Sequence, residues 1–142
     1  MRIFKKIIFI VIFAFIFNLS WEVSHSLLYK TITDMSASQY VPRILQASAG
    51  DIIIILSIFL FISIFNSSLN WTIKKKKSII LSVICGTIIS IGFELYAKAV
   101  QRFEYNASMP IIPLINVGLT PVLQMIIIPL LVFLTAEKLA KS

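Results

Sequence analysis

The chain has 142 residues, of which 58% are hydrophobic and 13% are charged, and its mean hydropathy is +0.96. Soluble domains contain about 25% charged residues, so this composition excludes an ordinary soluble protein and predicts one integral membrane domain over residues 1–142. The net charge of +7 predicts no nucleic-acid partner, because the basic residues lie at the ends of apolar runs. There they set the topology and contact the headgroups of membrane lipids, which are the partners we expect.

Four apolar segments approach the length of about 20 residues that the core of a bilayer requires. They cover residues 5–29, 48–65, 78–97 and 118–135. The first follows basic residues, as a signal peptide does, but no small-residue cleavage site comes after it, and we interpret it as an uncleaved span. Residues 30–46 and 66–77 are predicted polar connections. The predicted fold class is therefore all-α, a polytopic membrane protein with four transmembrane helices in a bundle.

The stretch Arg102–Gln124, which leads into the fourth helix, is apolar but repeatedly broken. Its interruptions are Pro110, Pro113, Gly118 and Pro121. Backbone that is not helical cannot face lipid, because each unpaired N–H or C=O group there costs several kcal/mol. We therefore predict a broken, re-entrant segment before the fourth helix that packs on the other helices or lines a wet cavity, as a lid.

The distribution of basic residues predicts the orientation in the membrane. The amino terminus contains three Lys and Arg residues, the loop at 66–77 contains four, and the carboxyl terminus contains two. The other two connections contain two each, so the lysine-rich side is predicted to face the cytoplasm. Both termini are then cytoplasmic, and the other two connections face outward.

Several polar residues at membrane depth fall on the outward side in this topology. Glu22 and His25 lie near the outward end of the first helix, and Asp51 lies at the outward start of the second. Glu94 lies near the outward end of the third helix, and Gln124 lies near the outward start of the fourth. Ionisable groups at such depth usually face a bundle interior or a cavity, so these residues predict a carboxylate- and histidine-lined pocket in the outer half of the bilayer.

Helical spacing supports this convergence. One face of the first helix presents Asn18, Trp21, Glu22, His25 and Tyr29. On the third helix, residues four apart form a stripe of small side chains that ends in charged ones: Ser78, Ser82, Gly86, Ser90, Glu94, Lys98 and Arg102. Small residues in this register let helices approach closely in lipid, so we expect the stripe to face the bundle.

Structural interpretations of the same residues remain open. Glu94 and Lys98 form an ordinary i,i+4 pair, and Lys98 with Arg102 can extend to the interface. Asp51 can be a cap or first-turn charge that stabilises the start of its helix. Gln124 can satisfy backbone groups around the chain breaks. An interfacial aromatic belt is a further interpretation of Trp21, Tyr29, Tyr40, Phe103 and Tyr105.

Metal binding is one alternative for the polar residues. Glu22 and His25 have the Glu-x-x-His spacing of carboxylate-bridged di-metal bundles, but those bundles need two such motifs and the chain has one histidine. The metal alternative is then a mononuclear site from Glu22, His25, Asp51 and Glu94, because histidine and carboxylate suit zinc or iron. Acid–base chemistry is the more economical interpretation, since a histidine beside buried carboxylates can move protons. No particular cofactor is indicated.

Short motifs are spread over nearly the whole chain. They are Trp21-Glu22, Gly50-Asp51, Glu94, Arg102-Phe103-x-Tyr105, Met109-Pro110-x-x-Pro113 and Gly118-Leu119-x-Pro121-x-x-Gln124. With this combination the chain resembles an uncharacterised family of small four-span bacterial membrane proteins. The resemblance implies a bacterial inner membrane and no assigned activity.

Three functional hypotheses follow. In the first, the pocket binds or acts on a small or lipid-derived ligand. Its predicted catalytic residues, which transfer protons, are Glu22, His25, Asp51 and Glu94. Its predicted ligand-binding residues are Trp21, Arg102, Tyr105 and Gln124, with Arg102 orienting an anionic group. The alternatives are a small oligomeric transporter whose broken segment binds the cargo, and a structural membrane subunit that docks a partner or a second copy.

Overall fold

A computed structural model describes residues 2–141, most of which are helical. The four long helices are α1 (Arg2–His25), α3 (Ala37–Phe65), α4 (Lys76–Ala99) and α5 (Leu119–Leu139). The shorter elements are a 3-10 turn (Ser26–Leu28), α2 (Lys30–Thr33), β1 (Ile111–Ile112) and β2 (Val117–Gly118). Strands β1 and β2 pair antiparallel.

Four segments are long and apolar enough to cross a membrane. They are Ile3–Leu28, Ala37–Phe65, Lys76–Ala99 and Leu119–Leu139. Each contains the predicted span or nearly all of it, so the prediction of four spanning helices is confirmed by length and composition. This arrangement is consistent with a multi-pass integral membrane protein.

Helix α3 begins earlier than the sequence pattern predicted. Its span was expected at 48–65, but the helix starts at Ala37. The cause is local, because Ser36 has extended backbone and its N–H donates to the Gln39 side chain at 3.1 Å, as in a capping box. Asp51 consequently lies near the middle of α3, and its interpretation as a cap or first-turn charge is wrong.

Helix α5 packs extensively on both α1 and α4, and α1 also packs on α3. The apolar core consists mainly of residues from α1, α3 and α5, with Phe59 and Phe133 among its fully buried side chains. Trp71, from the loop between α3 and α4, completes the core at one end. The predicted four-helix bundle is compatible with these contacts.

Helix α4 contributes small and polar side chains to the interior. Its buried residues are Ser78, Ser82, Gly86, Ser90, Glu94 and Ala97. The predicted stripe therefore faces the bundle up to Glu94, but Arg102 does not continue it. The helix ends at Ala99, and Gln101 adopts a left-handed φ of 52°. The N–H of Arg102 then donates to the Ala97 carbonyl at 2.8 Å, which closes the helix end.

The broken segment between α4 and α5 folds against the connection that follows α1. Tyr29 and Tyr105 form an isolated antiparallel bridge. The N–H of Lys30 donates to the Glu104 carbonyl at 2.9 Å, and the N–H of Asn106 donates to the Leu28 carbonyl at 2.8 Å. These bonds, with the β1–β2 pair, provide partners for backbone groups that the proline breaks leave outside a helix. Its re-entrant character stays a prediction.

Candidate functional site

The side-chain amide of Gln124 lies at the centre of a polar cluster between three helices. Its Nε2 atom lies 3.0 Å from Asn18 Oδ1, from Glu22 Oε1 and from Asp51 Oδ2. We call these four residues the Gln124 cluster. Asn18 is 0% exposed and Gln124 is 2% exposed, whereas the Glu22 side chain keeps 15% exposure. The structure therefore brings together side chains from α1, α3 and α5 that are far apart in the sequence.

The two hydrogens of the Gln124 amide nitrogen limit the hydrogen bonds that this cluster can make. A primary amide nitrogen has two hydrogens, so Gln124 cannot make full hydrogen bonds with all of its oxygen neighbours at once. Asn18 uses its own amide to donate to the Ala14 carbonyl at 2.8 Å, which directs its oxygen toward Gln124. Two carboxyl groups thus compete for one amide, and a proton or a cation at this point would relieve the competition.

His25 extends the cluster toward the start of α5. Its Nε2 atom lies 3.4 Å from Glu22 Oε2, and its Nδ1 atom lies 3.3 Å from Thr120 Oγ1. The residue is buried, and its ring stands one helical turn from Glu22. A neutral imidazole has one donor and one acceptor, so it can donate to Glu22 while it accepts from Thr120. His25 is accordingly placed to exchange a proton with Glu22.

Glu94 forms a second polar centre with residues of the broken segment. It is buried on α4, and the Tyr105 hydroxyl donates a hydrogen bond to its Oε2 atom. The N–H of Gly118 in turn donates to the Tyr105 oxygen at 3.0 Å. Burial raises the pKa of Tyr105, and the hydrogen bond to Glu94 raises it further, so this phenol stays a proton donor to the carboxyl group.

Tyr29 lies between the two polar centres. Its ring centroid is 5.5 Å from that of His25 and 5.7 Å from that of Tyr105. The residue is 8% exposed, and its hydroxyl interacts with Glu94. Burial raises its pKa, and the charge of Glu94 raises it further. Tyr29 is thus a buried link in the network, although the sequence pattern had favoured a place in an interfacial belt.

Two predicted ligand-binding residues do not join the network. Trp21 is half-buried and packs on the apolar core, with its ring centroid 6.4 Å from that of His25. Its indole N–H has no hydrogen-bond acceptor among residues 2–141. Arg102 is exposed, and it forms no salt bridge with a carboxylate in the described part of the chain. The structure brings three of the predicted site residues, Glu22, Asp51 and Gln124, into direct contact around the Gln124 amide.

Sequence reasoning missed or underrated three contributors. Asn18 was placed on the correct face of α1 but was given no role, and Thr120 was not considered as a partner of His25. Arg43 was assigned to a polar connection, yet it lies on the early part of α3, three residues after Tyr40, whose hydroxyl is 3.1 Å from Ser26 Oγ. A helical reading of residues 37–47 would have placed Arg43 and Asp51 two turns apart on the same helix.

The four residues of the metal alternative are not arranged as a set of metal ligands. Within residues 2–141, no group of three or more His, Cys, Asp and Glu side chains is placed to hold a metal ion. Glu22 contacts His25 and shares Gln124 with Asp51, but Glu94 is held separately by Tyr105. Hydrogen bonds therefore hold these residues in two separate groups, one around Gln124 and one around Tyr105.

A second polar region lies at the opposite end of the bundle, where the helix termini rich in lysine meet. A cavity of about 310 Å³ is lined there by Lys6, Asn70, Trp71, Thr72, Glu137, Ala140 and Lys141. The Lys6 ammonium donates to the Trp71 carbonyl at 2.7 Å, and Glu137 accepts from Thr72 Oγ1 at 2.8 Å and from the Ile73 N–H at 3.1 Å. These bonds fasten the loop between α3 and α4 to the first and last helices.

Comparison with protein-family models, with curated proteins and with solved structures gives no match for this chain.

Proposed function

We propose that the protein binds a small or lipid-derived ligand at the Gln124 cluster and transfers protons to or from it. The observation that supports this most strongly is the convergence of two carboxyl groups, Glu22 on α1 and Asp51 on α3, on one amide. Ionisable residues within membrane spans are costly, and they commonly mark substrate or proton pathways. The pairing with His25 adds an imidazole ring that can accept or donate a proton.

The division of roles follows the contacts. Glu22 accepts or releases the proton at the reacting group, because it is the carboxyl group that contacts both Gln124 and His25. His25 relays that proton toward Thr120 and the start of α5. Asp51 and Gln124 hold the reacting group by hydrogen bonds.

The broken segment acts as the lid in this proposal. Tyr105 contributes its hydroxyl to Glu94, while its neighbours pair with the connection after α1. Movement of the segment would therefore break the Tyr105–Glu94 bond and open the space beside Tyr29. Glu94 has the second role in proton transfer, at the side of the site that the segment covers. The ligand reaches this site from the outer leaflet or the outside, in the orientation that the basic residues predict.

A structural role is the second candidate, and one observation favours it. Gln124 connects α1, α3 and α5 through its hydrogen bonds, and polar contacts of this kind hold helices together in lipid. In that case the carboxyl groups serve assembly alone. The two candidates differ in what a conservative substitution does, because assembly needs only the hydrogen bonds whereas proton transfer needs an ionisable group.

Lipid analysis of producing cells separates the two candidates. Lipids are extracted from bacterial cells that produce the wild-type chain or the Glu22→Gln variant and are compared by mass spectrometry. We expect a lipid species that changes with the wild-type chain and returns to the level of empty cells with Glu22→Gln, at equal membrane abundance of both proteins. Lys30→Gln, which alters an exposed ion pair, is the matched control and should act as wild type. Identical lipid profiles for wild type and empty cells would reject lipid turnover.

A further inference from the structure

Four basic residues lie at the same end of the bundle as the Gln124 cluster, and they differ in whether they have partners. Lys30 pairs with Glu104 at 3.3 Å. The Lys98 ammonium donates to the Asn116 carbonyl and lies 5.4 Å from the centre of the Tyr105 ring. Arg43 and Arg102 make no hydrogen bond or salt bridge through their guanidinium groups with any residue in the described range. The two arginines are therefore the basic groups at this end that remain available for an anion.

The two arginines are also near each other. The hydroxyl of Tyr40, three residues before Arg43 on α3, lies 3.1 Å from Ser26 Oγ, and the ring of Phe103, next to Arg102, lies 5.0 Å from the ring of Tyr29. Both arginines therefore flank the short connection that follows α1. Like charges close together repel, and an anion between them removes the repulsion. Guanidinium groups are suited to this task, because their fork of N–H donors matches the oxygens of phosphate.

A groove beside Arg43 provides room for a headgroup. It has a volume of about 580 Å³ and is lined by Met35, Ser38, Gln39, Pro42, Arg43 and Gln46. Serine and glutamine side chains can bond the hydroxyl or amine groups that headgroups contain. The 29 residues of α3 extend over about 43 Å, which exceeds the hydrocarbon thickness of about 30 Å. The first turns of α3, with Arg43, therefore reach the level of lipid headgroups.

We propose that Arg43 and Arg102 bind the phosphate of a membrane lipid headgroup, which lies in the groove along the first turns of α3. This rests on the proposed function and specifies its ligand class: the ligand of the Gln124 cluster is a phosphate-bearing lipid. Because the part of α3 that contains Arg43 contacts Ser26, four residues after Glu22, the phosphate anchors the lipid with its adjoining polar atoms directed to Glu22 and Gln124. Arg43 is a binding residue in this proposal and takes no part in proton transfer.

The test measures binding of short-chain phosphatidylglycerol to the full chain in a neutral detergent, by the rise in thermal unfolding temperature during a titration. We expect saturable stabilisation by phosphatidylglycerol and none by the matching diacylglycerol, which lacks the phosphate. Replacing one arginine of a phosphate clamp should weaken the apparent affinity roughly tenfold or more, so Arg43→Gln and Arg102→Gln should both show this loss. Arg43→Lys should show a smaller loss, since it keeps the charge and loses the fork.

The matched control is Lys30→Gln, which removes one positive charge from the same end of the bundle. Its affinity should stay within about twofold of wild type, because attraction by an exposed charge is weak and screened. An equal loss in Lys30→Gln and Arg43→Gln, which each remove one positive charge, would show unspecific attraction and overturn the proposal. Equal stabilisation by inorganic phosphate at the same concentration would also overturn it, because the ligand would then not be a lipid.

One further variant separates this proposal from the proton-transfer role. Glu22→Gln removes the ionisable group and keeps a hydrogen-bonding side chain, so it should retain phosphatidylglycerol binding while it abolishes any lipid turnover. Binding lost only in the arginine variants supports the anion site whatever the turnover result. Turnover that depends on Glu22, together with phosphatidylglycerol binding that both arginine variants leave unchanged, would leave the proton-transfer role and reject the anion site.

Discussion

At the scale of single residues, Gln124 is the side chain on which the site depends. It is 2% exposed and is the hydrogen-bond donor to two carboxyl groups from different helices. We predict that Gln124→Ala lowers the free energy of unfolding by about 1–3 kcal/mol, because buried acceptors lose their partner. Chemical unfolding in detergent measures this. Gln46→Ala, at an exposed position of α3, should stay within about 0.5 kcal/mol of wild type, and equal stability of both variants would contradict the cluster.

Gln101 presents a different residue-scale feature, a left-handed backbone after the end of α4. Its φ is 52°, a conformation that costs a residue with a Cβ atom roughly 1–2 kcal/mol. Gln101→Gly should therefore raise the unfolding free energy by about 1 kcal/mol, since glycine adopts this conformation without strain. Gln101→Val should lower it, because a β-branched side chain is least compatible with positive φ. Thermal unfolding of the two variants in opposite order would disprove the assignment.

At the scale of elements, α4 and α5 approach each other closely at Gly86. A Cβ atom built there would lie 1.9 Å from the Met125 carbonyl oxygen, so α4 and α5 could not keep their separation. Gly86→Ala should cost about 1–3 kcal/mol, and it should also disturb Gln124, the neighbour of Met125. Gly92 lies on the same helix with no atom within 4 Å of the equivalent position, so Gly92→Ala is the matched control. Its unfolding free energy should be unchanged or up to about 1 kcal/mol higher.

Comparison of Gly86→Ala with Gly92→Ala tests whether α4 and α5 are in close contact at Gly86. If α4 and α5 meet as described, Gly86→Ala unfolds at a lower temperature and Gly92→Ala does not. Equal stability of both variants would mean that the helices do not approach closely at Gly86. The contact is consistent with the predicted role of small residues in helix association.

Elements were predictable to different degrees, and the physical reason is visible in α3. The predicted bounds of α4, 78–97, differ from the structure by two residues at each end, because its apolar run and its helix nearly coincide. In α3 the helix continues beyond the apolar run to Ala37. Hydropathy measures the part of a helix that fits the bilayer, whereas the start of the helix depends on capping at Ser36. Because those turns were predicted to be a polar connection, Arg43 was given no role in the site.

At the scale of the whole molecule, charge is distributed very unevenly along the bundle. The lysine end contains nine of the 13 Lys and Arg residues and one of the six acidic residues. Its basic residues are Arg2, Lys5, Lys6, Lys74, Lys75, Lys76, Lys77, Lys138 and Lys141. The other half contains four basic and five acidic residues, including both carboxyl groups of the Gln124 cluster. By the positive-inside rule, this asymmetry favours a cytoplasmic lysine end.

Cysteine labelling tests this orientation in intact cells. In a Cys85→Ala background, Ser68→Cys marks the lysine end and Ser108→Cys marks the broken segment, and both serines are exposed. A membrane-impermeant maleimide should label Ser108→Cys in intact cells and Ser68→Cys only after permeabilisation. The reverse pattern would place the Gln124 cluster on the cytoplasmic side, and the proposed ligand would then have to enter from the inner leaflet.

The membrane class, the spanning segments and the inward face of α4 were determined by the sequence alone. These properties depend on local quantities: apolar length, charge at the helix ends and a four-residue repeat of small side chains. The site also had local signals, since Glu22 and His25 lie on one face of α1. Its candidate acids could therefore be named before their contacts were known.

Which of these groups meet was decided only by the tertiary structure. Gln124 bonds residues that precede it by 73, 102 and 106 positions, and no local pattern relates positions so distant. Tyr29 is buried because Tyr105 returns to pair with it, and the part of α3 that contains Arg43 meets Ser26 because α1 packs on α3. Packing of one helix on another selects such pairs, because it sets the rotation and depth of each helix. Composition and spacing leave both of those quantities free.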